Sequence, residues 1–70
     1  MRYAIVVEKG PASYGAYVPD LPGCIAAGET KGEVLKPIRE AIEFHLDGMR
    51  AEGFAIPEPS STAEYVEVGA

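Results

Sequence analysis

The stretch Tyr17-Val18-Pro19-Asp20-Leu21-Pro22-Gly23-Cys24 sets two prolines, an acid and a glycine between two apolar runs. Each proline holds φ near −65° and lacks a backbone donor, and each presses the residue before it, Val18 or Leu21, toward extended geometry. The Asp20 carboxylate can accept a hydrogen bond from the backbone two residues on, and Gly23 is free to take positive φ. The stretch predicts a stiff, bent connection between two strands.

Working back toward the N-terminus, residues 2–8 read as a strand, with β-branched Ile5, Val6 and Val7 beside Tyr3. Their alternation is imperfect, so both faces are expected to be covered. Lys9-Gly10-Pro11-Ala12-Ser13 carries turn chemistry, and residues 14–18 form a second strand in an antiparallel hairpin with the first. Beyond the corner, Gly23-Cys24-Ile25-Ala26-Ala27 reads as a third strand whose alanines admit a closely packed neighbour.

Thr30 and Glu33 have the spacing of a capping box, which predicts a helix from Lys31. Val34, Leu35, Ile38, Ala41, Ile42, Leu46 and Met49 recur at steps of three and four as one buried stripe, with Arg39, Glu40, Glu43, Asp47 and Arg50 opposite. Pro37 is discordant, because an interior proline costs about 3 kcal/mol. Either the helix kinks there or its regular part starts near Lys36; the apolar stripe, which already includes Val34 and Leu35, favours a kinked, continuous helix. With Gly53 as terminator it would run for roughly 22 residues. A proline-stiffened return, Phe54-Ala55-Ile56-Pro57-Glu58-Pro59-Ser60-Ser61, leads to a last strand over residues 62–68. The expected architecture is α+β, in the order β-β-β-α-β: a mostly antiparallel sheet with one long helix on one face.

The 70 residues are expected to form a single domain, 1–70, with no internal repeat. A chain of this size buries only about 60% of its unfolded surface, and Cys24 is alone, so self-association is the expected reinforcement. The apolar run before Glu8 is too short for a signal peptide or a membrane span, which predicts a soluble, cytoplasmic protein with no membrane partner. A net charge of −5 repels phosphate backbones and attracts basic proteins, although mild acidity also serves solubility alone.

Catalytic chemistry is thin. His45 is the one histidine and lies on the helix near Ile42, Leu46 and Met49, where a half-buried structural role is favoured over a metal-ligand or acid–base role. Cys24 reads as a small buried thiol. Glu40, Glu43 and Asp47 are neighbours on the helix but read as a solvated face rather than a cation site. No phosphate-binding glycine loop and no Ser/His/Asp spacing is present. The residues predict no catalytic set, no metal and no cofactor.

Taken together, Tyr17 to Cys24, then Ala27-Gly28-Glu29-Thr30, Arg39-Glu40-Ala41-Ile42 through His45-Leu46, and Ile56-Pro57-Glu58-Pro59-Ser60 resemble the HicB-like antitoxin family over nearly the whole chain. The resemblance implies a degenerate ribonuclease-H-like fold without nuclease activity. It also implies a partner, a small basic toxin of the HicA type that cleaves messenger RNA, whose active surface the antitoxin covers. Many members carry a DNA-binding segment after the last strand. Here the sequence given stops at Ala70, so direct DNA binding is not expected.

Three functions of different class follow. The first is a non-enzymatic module that neutralises a HicA-type toxin. The second is a solitary HicB-like homo-oligomer, dimer or tetramer, with a structural or other protein-binding role. The third, a metal-dependent nuclease, needs clustered acids on adjacent strands, and the early strands offer only Glu8 with Asp20 in the corner. For the first, Tyr17, Asp20 and Leu21 are the expected contacts, with Pro19, Pro22 and Gly23 shaping the surface. The same residues would equally serve as a purely structural corner.

Overall fold

The structure, a computed structural model, describes residues 1–69. Three short strands, β1 (Val6–Lys9), β2 (Tyr14–Tyr17) and β3 (Ile25–Gly28), form an antiparallel sheet in the order β1-β2-β3, and one helix, α1 (Leu35–Ala51), packs on one face. The α+β class and the order of these four elements match the expectation.

Register explains the strand ends. Val6 pairs with Tyr17, and continuing the ladder would bring Ala4 opposite Pro19, which has no N–H to give. Residues 2–5 therefore flank the sheet without joining it, although Tyr3 and Ile5 still pack against the core. Val7, Ala16 and Ala26 align across the three strands on the helix side. Val6, Tyr17 and Ile25 align on the other side.

The helix departs from expectation at its start. Thr30 does accept from the Glu33 amide at 3.1 Å, but the turn it caps precedes the helix proper. The favoured kinked helix from Lys31 is not formed. Pro37 has no N–H to offer the Glu33 carbonyl and its ring crowds that oxygen, so the Val34 amide bonds the Thr30 carbonyl at 3.3 Å in the turn before the helix, and the bonding of the helix proper starts with the Ile38 amide on the Val34 carbonyl at 3.1 Å. Pro37 thus sits in the first turn, and the 17-residue helix is about 26 Å long. Gly53, at φ 77°, ends it: its amide bonds the Arg50 carbonyl and that of Phe54 bonds Met49, a Schellman closure.

The core joins Ala16, Val18, Leu21 and Cys24 to Val34, Ile38 and Leu46. Gly28 lets the chain before the helix lie against β3, since a Cβ there would stand 2.9 Å from the Val34 nitrogen.

The last expected strand is not formed: residues 62–68 join no ladder. Glu64 falls on the same side as Val66 and Val68, and Glu67 on the same side as Ala63 and Tyr65, so neither face of this segment is cleanly apolar. Tyr65 is 96% exposed. The radius of gyration, 13.8 Å, exceeds the roughly 11 Å of a compact chain of this length, and the long dimension is 48 Å.

Candidate functional site

The proline corner is built from two consecutive turns. The Leu21 amide bonds the Val18 carbonyl at 3.1 Å, and the Cys24 amide bonds the Leu21 carbonyl at 3.1 Å. Pro19 and Pro22 occupy the second position of their turns, where a fixed φ is favourable. Gly23 follows Pro22 at φ 85°, as a type II turn requires. The Val18 amide then closes the loop on the Cys24 carbonyl at 3.2 Å.

Asp20 ties this corner to a segment some forty residues away. One carboxylate oxygen accepts the backbone amides of Ser60 and Ser61 at 2.9 and 3.0 Å, and the other accepts their hydroxyls at 3.1 and 2.7 Å. The Ser61 and Ser60 amides, with the Ser61 hydroxyl, hold the Asp20 pKa down to about 2, well below its ordinary 3.8. Tyr3 adds a second tie by donating its hydroxyl to the Pro57 carbonyl. The two proline-rich stretches are thereby fastened into one surface.

Each expected site residue has a definite place. Tyr17 is 40% exposed on the sheet face away from the helix, and Pro19, Pro22 and Gly23 are exposed in the corner. Leu21 is fully buried in the core, so it supports the corner from beneath instead of touching a partner. Asp20 already accepts four internal hydrogen bonds, which makes it a clamp. Ser60 and Ser61 were not among the expected residues. An Asx-type pairing was legible within the corner only, because nothing in a sequence aligns position 20 with position 60.

Elsewhere, Cys24 is buried, and burial pushes its thiol pKa up, away from the nucleophilic thiolate. His45 is half-buried on α1. Among the described residues no group of three or more His, Cys, Asp or Glu is placed to hold a metal ion, and no helix is long and apolar enough to cross a membrane. Asp47 and Arg50 pair at 3.2 Å on the exposed helix face, a contact worth little.

An open groove of about 730 Å³ lies between the N-terminal residues and α1, with Ile5, Ile38, Ile42 and Leu46 among its apolar lining and Arg2, Lys36 and Arg39 beside them. A smaller cleft of about 390 Å³ separates Ala4–Val7 and Pro19 from residues 61–65.

The family model described as the HicB-like antitoxin of bacterial toxin–antitoxin systems matches residues 3–69. The chain belongs to this family. Its fold is similar to a chain of a HicA3 and HicB3 toxin–antitoxin complex, with a TM-score of 0.71 and 33% identity over 86% of this chain and 70% of that one. It is also similar to the N-terminal domain of the Burkholderia pseudomallei antitoxin HicB, with a TM-score of 0.73 and 37% identity over 83% of this chain and 69% of that one. Among curated relatives, antitoxin HicB 2 of Photorhabdus laumondii is 31% identical over 71 residues, covering all of this chain. The chain spans 51% of that relative's length, and 50% of a Haemophilus phage HP1 protein to which it is 38% identical. The HicB-like resemblance of the sequence and its α+β class are both matched by these findings.

Proposed function

We propose that this chain is a non-enzymatic binding module that neutralises a small basic toxin of the HicA type by covering its active surface. The observation that carries the reading is the fold match, at 33% identity, to a chain from a toxin–antitoxin complex. The net charge of −5 supports it, since an acidic chain competes for the basic surface that RNA would occupy. The proline corner suits docking. Tyr17, Pro19, Pro22 and Gly23 present a shape held by turns and by the Asp20 clamp, with Leu21 beneath it, so little entropy is lost when a partner binds.

Co-expression with a small basic toxin of the HicA type tests the proposal. Growth arrest by that toxin alone and recovery with this chain is the expected outcome. A toxic product that this chain neither binds nor relieves would overturn it.

A second reading is a homo-oligomer without a cognate toxin. It is favoured by one observation: Tyr65, Val66 and Val68 are exposed while, among the described residues, no strand pairs with the outer edge of β1. Such an edge is a template for a strand from a second copy.

A further inference from the structure

The three-stranded sheet is covered by the helix on one face only. On its other face the register aligns Val6, Tyr17 and Ile25, followed by Glu8, Gly15 and Ala27. An antiparallel sheet with one solvated face ordinarily turns polar residues outward. This one turns out an apolar row in which Ile25 is 70% exposed, beside Gly15 and Ala27, which are too small to keep a neighbour away.

We infer that this outer sheet face, centred on Tyr17 and Ile25, is the docking surface for a basic protein partner. The inference rests on the antitoxin reading above and assigns its contact residues. Charge selects the occupant. The six ladder positions of the face hold one charged side chain, Glu8, and no cation, and Glu64 borders the cleft along Ala4 and Val6. The competing concavity, the groove beside α1, gathers Arg2, Lys36 and Arg39, three of the six Lys and Arg residues of the chain, against one acid, Glu43. A basic surface is repelled there and attracted to the sheet. The face is also continuous with the proline corner, since Tyr17 stands in the row and Pro19 lines the cleft at its edge.

Titrating the full chain against a purified small basic toxin of the HicA type provides the test. Ile25→Lys and Ala27→Lys place bulk and like charge on exposed positions, and their unchanged melting curves would show that both still fold. Each is expected to weaken binding at least tenfold, whereas Arg39→Glu in the groove leaves affinity within about twofold or raises it. Wild-type affinity retained in both lysine variants would overturn the inference and leave the antitoxin reading intact. Dissociation of a homo-oligomer by these variants, with toxin affinity unchanged, would assign the face to a second copy and overturn it too. No binding by the wild-type chain would instead contradict the antitoxin reading itself.

Discussion

Asp20 and Ser61 meet through two hydrogen bonds, amide to carboxylate at 3.0 Å and hydroxyl to carboxylate at 2.7 Å, although 41 positions separate them. With the matching pair from Ser60, they join the loop between β2 and β3 to the segment that leaves the helix.

Replacing Asp20 with Asn leaves the side-chain shape but turns one acceptor into a donor that faces donors. The melting temperature of Asp20→Asn is expected to fall below wild type at neutral pH. Because folding lowers the Asp20 pKa from 3.8 to about 2, the carboxylate stabilises the fold fully above the ordinary value and loses its effect as pH falls through about 2. The gap between wild type and variant should therefore narrow from pH 4 toward pH 2. A gap that stays constant over that window would contradict the clamp.

Leu21 is the buried anchor of the corner. Leu21→Ala is expected to cost about 2–5 kcal/mol in a urea titration. That is a large share of the roughly 4–10 kcal/mol typical of a chain this long. A loss under 1 kcal/mol would mean that the corner repacks around the gap.

Three glycines should respond differently to alanine. Gly48 has open space around its α-carbon within the helix, so Gly48→Ala should stabilise by about 0.5–1 kcal/mol. Gly23→Ala should cost about 1–2 kcal/mol because φ is 85°. Gly28→Ala should cost more than Gly23→Ala, since its Cβ would press on the backbone of Val34 and Glu33. Equal effects at the three sites, read from thermal midpoints, would contradict this ordering.

Much of this fold was legible because local chemistry and tertiary structure agree. Pro19, Pro22 and Gly23 specify two turns, the turns direct β2 back onto β3, and the apolar stripe of α1 has one face to bury. Reading failed where two local signals competed. Thr30 and Glu33 signal a helix start, but Pro37 withholds the hydrogen bond that would carry the helix through Glu33. Residues 62–68 have strand-forming side chains but an acid on each face, and pairing depends on a neighbour that composition does not identify. The candidate site was half legible: Tyr17 and the corner stood out, while Ile25 became a surface residue only once the register placed it beside Tyr17.

If the open β1 edge and the exposed segment after Ser61 support self-association, removing residues 62–70 should lower the sedimenting mass to that of a monomer. An unchanged mass, or a full chain that already sediments as a monomer, would contradict self-association through this segment.

The most direct measurement is calorimetric titration of the full chain into a purified small basic toxin of the HicA type. Saturable binding that blocks RNA cleavage and weakens as salt is raised is the expected result. An active ribonuclease that neither binds this chain nor loses activity in its presence would contradict the account.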